Sequence, residues 1–107
     1  MRIVVKNVGE KAEVREVENE LEVFQQIVGG YIEVFPVPYN MLLVLNEEGK
    51  LQGLPKNFDV VSMDSETGEC CREIIVGNVA FVSMGYDDFE GLSDEQIQVL
   101  YHMGILA

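Results

Sequence analysis

The apolar residues of this 107-residue chain fall into short runs, and this feature constrains its fold more than any other. The main runs are residues 2–8, Met41–Leu45, Ile74–Val76 and Val79–Val82, all rich in Val, Ile or Leu. Short runs of this kind between turn residues are typical of β-strands, whereas a membrane-spanning helix needs about 20 consecutive apolar residues. The pattern predicts a small sheet and no membrane span.

Turn residues between these runs predict how the strands connect. Gly9–Lys11 predicts a turn that joins the first two strands into a hairpin. Asn46–Gly49 predicts a second hairpin, in which Met41–Leu45 pairs with a strand that returns over Lys50–Leu54. Antiparallel pairing between neighbours in the sequence is therefore expected through most of the sheet.

Three further segments complete the predicted strands and loops. Tyr31–Val37 alternates in polarity, and neither Pro36 nor Pro38 can donate a backbone hydrogen bond, so the end of this strand is expected either at a sheet edge or at a bend. Val60–Met63 is a candidate strand that leads into a polar turn over Asp64–Glu69. Tyr86–Gly91 is predicted to be an acidic loop.

A first helix is predicted at about residues 20–28. Asn19 is the expected N-cap, and Glu22 three residues later would complete a capping box. Gly29 and Gly30 end the helix, because glycine enters the left-handed conformation at little cost.

A second helix is predicted at about residues 94–103, with Ser93 and Gln96 as its capping box. Together the elements predict an α+β fold, a mostly antiparallel sheet with two short helices on one side. The length of the chain suits one domain over residues 1–107.

The charge of the chain is strongly negative and uneven. Seven Lys and Arg residues against 19 Asp and Glu residues give a net charge of −12, and no Lys or Arg occurs from Glu73 onwards. Direct binding to nucleic acid is not expected, because contacts to phosphate need clustered basic residues. The acidic residues cluster near the C-terminus, at Asp87, Asp88, Glu90, Asp94 and Glu95. This cluster is either a solubilising surface or a binding surface for a basic partner.

Three residues are candidates for binding a small ligand. Tyr31 and Tyr39 flank the predicted edge strand, and aromatic residues there either line a pocket or pack at the edge. Asn57 follows a bend at Leu54-Pro55 and is expected either to hold the loop through side-chain hydrogen bonds or to contact a ligand.

The residues for catalysis or metal binding are sparse. His102 is the only histidine, and its helical position places it with polar neighbours such as Glu95. Cys70 and Cys71 are adjacent, a spacing that disfavours a disulfide and matches no common zinc motif. We therefore expect no enzymatic activity, metal or cofactor. We expect the protein in the cytoplasm, where free thiols persist. The apolar run at Met1–Lys6 is too short for a signal sequence, which agrees with this location.

Several motifs together resemble the family known as domain of unknown function 3846, found in small proteins of phages, plasmids and integrated mobile elements. The segments that carry the resemblance are Gly30–Val34, Met41–Leu45, Glu47–Lys50, Leu54–Asn57, Ile75–Val82 and Leu92–Gln96. The resemblance covers roughly residues 1–100. It implies a mobile-element context and no catalytic residues.

The sequence thus favours a non-enzymatic interaction protein that binds a protein partner through its acidic surface. One alternative is a binding protein for a small, nucleotide-like ligand. Another is an inhibitor that mimics the charge of DNA and occupies a host defence protein. A homodimer is also an open alternative, since small sheets leave edges that need cover.

Overall fold

The structure is built around a six-stranded sheet whose central strand is buried on both faces. The computed structural model describes residues 1–63 and 66–107, with the side chains of all of these except residues 62, 63 and 71. In chain order the elements are β1 Arg2–Lys6, β2 Glu13–Glu16, α1 Leu21–Val28, β3 Ile32–Val37, β4 Met41–Asn46, β5 Lys56–Met63, β6 Cys70–Val76, β7 Val79–Met84, β8 Phe89–Glu90 and α2 Asp94–His102.

The strand order of the main sheet is β2-β1-β7-β4-β3, and β8 pairs with β7 beyond the end of β1. Every pair in this sheet is antiparallel. β5 and β6 form a separate antiparallel hairpin. The predicted α+β fold, the first hairpin and the edge position of the strand that holds Pro36 are confirmed.

The two helices lie on opposite faces of the main sheet. The buried side chains under α1 are Ile3, Val5, Phe24, Val28, Val44, Ala80 and Val82. Those on the other face, under α2 and the β5–β6 hairpin, include Val4, Leu43, Val60, Ile75, Phe81 and Leu100. Successive strand residues point to opposite faces, so the unbroken apolar runs of β1, β4 and β7 supply both clusters. The prediction of helices on one side is therefore wrong.

The predicted hairpin between Met41–Leu45 and Lys50–Leu54 is also wrong. Both sides of β4 are occupied, by β3 and by β7, and no edge is left for a returning strand. Lys50–Leu54 instead continues a series of tight turns, in which the Gly53 amide donates to Lys50 O and the Leu54 amide to Gly49 O. The true hairpin joins β3 to β4 through Pro38–Asn40.

Two of the three local signals predicted at the helix ends are confirmed. Gly29 ends α1 with a left-handed φ of 79°, and Ser93 and Gln96 form both hydrogen bonds of a capping box at the start of α2. Asn19, however, does not cap α1: the helix follows Glu20, and the Asn19 Nδ2 donates to Phe89 O at 3.2 Å. Gly104, with φ 80°, follows the end of α2.

Other segments need smaller corrections. The strand predicted over Val60–Met63 begins four residues earlier, at Lys56. The loop predicted over Tyr86–Gly91 contains the two-residue strand β8. The turn predicted over Asp64–Glu69 falls partly outside the described residues.

An ion-pair cluster on the β5–β6 hairpin should make stability depend on pH. The Asp59 Oδ2 accepts from Arg72 Nε at 2.9 Å and from Lys56 Nζ at 3.2 Å. The hydrogen bond from Arg72 holds the pKa of Asp59 below its usual range. Partial burial opposes this effect and Lys56 adds to it. Because the unfolded pKa, about 3.9, is higher, this contribution to stability is present above that pH and is lost as pH falls through the folded pKa.

We therefore expect Asp59→Asn to lower the free energy of unfolding at pH 6. The gap in this free energy between the variant and the natural protein should close as pH falls below about 4. Urea unfolding of both proteins at several pH values measures the gap. Asp87→Asn, an exposed carboxylate with no ion pair among the described residues, is the control. A gap that stays constant with pH would contradict the assignment.

Candidate functional site

The turn between β3 and β4 has an unusual backbone. Tyr39 and Asn40 both have positive φ, 67° and 62°, and the Tyr39 side chain is 67% exposed. Positive φ is uncommon for a bulky residue such as tyrosine and favours Gly or Asn. Asn40 fixes the turn to β7, because its Nδ2 donates to Met84 O at 3.2 Å and its carbonyl accepts from the Met84 amide at 2.9 Å.

Gln96 joins this turn to the start of α2. Its Oε1 accepts from the Ser93 amide at 2.9 Å, which completes the capping box. Its Nε2 lies within hydrogen-bond distance of Tyr39 O at 3.0 Å, Asn40 O at 3.2 Å and Ser83 Oγ at 3.0 Å. One nearly buried amide therefore holds the helix, the turn and the central strand in fixed positions.

A groove of about 410 Å³ lies between the turn and the start of α2. We call it the acidic groove. Its lining residues are Tyr39, Asn40, Ser83, Glu90, Gly91, Ser93, Glu95, Gln96 and Val99. The volume is within the range of about 300–1,000 Å³ that is common for ligand pockets. The groove brings together Tyr39, a predicted ligand contact, and two members of the predicted acidic surface.

The five acidic residues have different surroundings. Asp94 Oδ1 lies 2.9 Å from Arg2 Nη1, so an ion pair partly neutralises it. Glu90 and Glu95 line the groove and, like Asp87 and Asp88, form no ion pair within residues 1–63 and 66–107. Asp88 Oδ1 accepts from the Phe89 amide at 2.8 Å. The groove therefore has a negative potential that attracts cations.

Exposed apolar side chains surround the same end of the sheet. Met84, just before the acidic loop, is 38% exposed, and Tyr86, the first residue of the loop, is 98% exposed. Tyrosine and methionine are enriched at protein interfaces relative to other surfaces. Asn40 and Ser83 could not be predicted as groove residues, because strand pairing between positions more than 40 residues apart brings them together.

The other two predicted ligand residues lie elsewhere. Tyr31 precedes β3 and Tyr39 follows it, so this six-residue strand, about 20 Å long, separates them. Asn57 is in β5, where its Nδ2 donates to Lys6 O at 2.8 Å and Gly77 O at 2.9 Å. Asn57 therefore holds β5 against the ends of β1 and β6. The three residues do not form one site.

The residues considered for catalysis do not come together with the acidic groove. His102 is exposed in the last turn of α2, and Cys70 is an exposed free thiol on the separate β5–β6 hairpin. The side chain of Cys71 lies outside the described part. In the described residues no three His, Cys, Asp or Glu side chains are placed to hold a metal ion. Nor is any described helix both long enough and apolar enough to cross a membrane.

The fold and the groove define the class: a small α+β protein with an acidic groove at one end of an antiparallel sheet. Comparison with family models gives the family. The model described as Domain of unknown function (DUF3846) matches residues 1–104, so the chain belongs to that family and the resemblance inferred from its motifs is confirmed. No curated protein and no solved structure matches the chain.

Proposed function

We propose that this protein is a non-enzymatic binding protein whose acidic groove holds a basic segment of a protein partner. The observation that supports this best is the position of Glu90 and Glu95. Both line one groove, and neither has an ion-pair partner among the described residues. An unpaired carboxylate gains most from a cation brought by another molecule.

The groove is also suited to binding without rearrangement. Gln96 and Asn40 fix its two walls through hydrogen bonds to Tyr39, Ser83 and Met84. A preformed site loses little conformational entropy on binding. Tyr39, which lines the groove, supplies an exposed ring against which the aliphatic part of a Lys or Arg side chain, or its charge, can pack.

The origin and location of the partner are part of the same proposal. The family resemblance implies a phage, plasmid or other mobile-element context. We propose that the partner is a protein of the host or of the element, met in the cytoplasm, and that no nucleic acid or membrane is bound directly. The net charge of −12 supports the exclusion of nucleic acid.

The test is equilibrium binding of a fluorescent Lys/Arg-rich peptide, measured by anisotropy at low and high salt. We expect the double variant Glu90→Gln/Glu95→Gln to weaken binding about tenfold, which corresponds to the loss of about 1.4 kcal/mol. Glu20→Gln/Glu22→Gln makes the same change in net charge at exposed residues near α1 and is the matched control. Equal weakening by both double variants would show general charge attraction and contradict a groove.

The DNA-mimic hypothesis is a narrower form of this proposal. Four neighbouring carboxylates without ion pairs among the described residues support it: Asp87, Asp88, Glu90 and Glu95. It requires a partner that itself binds DNA. Duplex DNA should then displace this protein from its partner, whereas a partner that binds through an unrelated basic segment should be unaffected.

The homodimer hypothesis remains a prediction of its own. β2 and β3 are the outer strands of the main sheet in the strand order, and outer strands present unpaired backbone groups. Sedimentation equilibrium at several concentrations measures the mass in solution. A monomer mass at all concentrations would remove the hypothesis.

A further inference from the structure

A second cavity lies at the opposite end of β3, where α1 meets the turns after β4. Its volume is about 310 Å³, and its lining residues are Gln25, Gly30, Tyr31, Asn46, Glu48 and Gln52. We call it the Tyr31 cavity. It is near the lower limit of the usual range for ligand pockets, about 300–1,000 Å³, so it suits a small molecule and not a peptide segment.

The floor of this cavity contains a buried amide with spare hydrogen-bonding capacity. Asn46 is 4% exposed. Its Oδ1 accepts from the Glu48 amide at 2.8 Å, and its Nδ2 donates to Val28 O at 3.2 Å. An amide nitrogen carries two hydrogens, and the second has no acceptor among the described residues. Asn46 Nδ2 already donates one hydrogen bond, and a ligand carbonyl that reached its second hydrogen would add another.

Gly30 leaves room for this amide. A Cβ atom at Gly30 would lie 3.0 Å from Asn46 Nδ2, closer than ordinary van der Waals contact. With any larger residue there, the Asn46 side chain would have to shift by a few tenths of an ångström. The space beside the amide therefore depends on a glycine between α1 and β3.

The rest of the lining defines the ligand further. Tyr31 is 71% exposed and presents a ring on which a planar group can stack. Glu48 is exposed and forms no ion pair within the described residues, so it can accept from two adjacent N–H groups. None of the lining residues is Lys or Arg. A phosphorylated ligand would meet a carboxylate there and no cation.

We propose that the Tyr31 cavity binds a neutral purine nucleoside of the guanine type. The base would stack on Tyr31, its carbonyl oxygen would accept from Asn46 Nδ2, and its adjacent ring and exocyclic N–H groups would donate to the Glu48 carboxylate. The amides of Gln25 and Gln52 supply additional donors and acceptors. This site is separate from the acidic groove and does not depend on the proposed protein binding.

The test is a titration of the ¹⁵N-labelled full chain with guanosine, adenosine and guanosine 5′-monophosphate, followed by amide NMR shifts. We expect guanosine to shift the signals of Gly30, Tyr31 and Glu48. Adenosine should bind about tenfold more weakly, since its Watson–Crick edge presents an amino group in place of the carbonyl. The monophosphate should also bind more weakly than guanosine, because Glu48 repels it.

Variants separate the proposed contacts from general effects. Tyr31→Ala should weaken guanosine binding about tenfold and Tyr31→Phe should retain it, because the ring and not the hydroxyl stacks. Glu48→Gln should remove the preference for guanosine over adenosine. Tyr101→Ala, at an exposed tyrosine of α2 outside this cavity, is the control and should bind as the natural protein does. The proposal is overturned if guanosine shifts no signals near Tyr31, if the monophosphate binds more tightly, or if Tyr31→Ala and Glu48→Gln have no effect.

Discussion

Replacement of Phe81 by alanine is expected to lower the free energy of unfolding by about 3–5 kcal/mol. Phe81 is fully buried in β7, the strand at the centre of the main sheet. It pairs with Val4 of β1 and Leu43 of β4, and its ring stacks on Phe58 of the β5–β6 hairpin at a centroid distance of 5.9 Å. The truncation therefore leaves a cavity where the main sheet and the hairpin meet.

Urea unfolding followed by circular dichroism measures this effect. Leu51→Ala is the control, because Leu51 is 90% exposed and its truncation should change stability by less than about 0.5 kcal/mol. Since small domains have a total stability of only about 5–15 kcal/mol, Phe81→Ala should also unfold at a clearly lower temperature. A loss of less than about 1 kcal/mol would show that Phe81 is not at the centre of the core.

Replacement of Gln96 by leucine is expected to lower the free energy of unfolding by about 2–3 kcal/mol, although the two side chains are similar in size. The change removes the acceptor for the Ser93 amide and the donor for Tyr39 O, Asn40 O and Ser83 Oγ. A buried polar group that loses its hydrogen-bond partner costs about 1–3 kcal/mol of stability. The total is smaller than the sum over all four groups, because water can reach some of them.

Gln98→Leu is the matched control, because Gln98 is exposed on the same helix. It should leave stability almost unchanged. Gln96→Leu should also increase hydrogen exchange of the Met84 amide, which donates to Asn40 O in the turn that Gln96 holds. Equal effects of the two substitutions would mean that Gln96 does not fix the wall of the acidic groove.

Local signals in the sequence predict the end of α1, the start of α2 and the N-terminal hairpin, because each of these depends on a few neighbouring residues. The capping box of Ser93 and Gln96 and the glycine after α1 are examples. The β3–β4 hairpin was missed because its turn uses Tyr39 and Asn40 at positive φ, where the usual signal is glycine. The Asn46–Gly49 sequence has the more typical turn signal, and it predicts a hairpin that the main sheet does not contain.

The groove could be predicted only in part. Glu90, Glu95 and Tyr39 were candidates from residue type and position, yet nothing in the sequence placed the tyrosine beside the acids. Their position in one groove depends on the pairing of β4 with β7 and on the long-range hydrogen bonds of Gln96. Likewise, residues 3–5 and 79–82 are apolar at every position, so their pattern could not show that helices cover both faces of the sheet.

Amide NMR shifts of the ¹⁵N-labelled protein can locate a bound basic peptide directly. Binding in the acidic groove should shift the signals of Tyr39, Glu90, Gly91 and Glu95, and the shifts should weaken strongly as salt approaches roughly 1 M, where charges are screened within about 3 Å. A peptide of the same length with Glu in place of Lys and Arg should shift none of them. Shifts confined to α1 or the β5–β6 hairpin, or equal shifts with both peptides, would show that the acidic groove does not bind a basic segment.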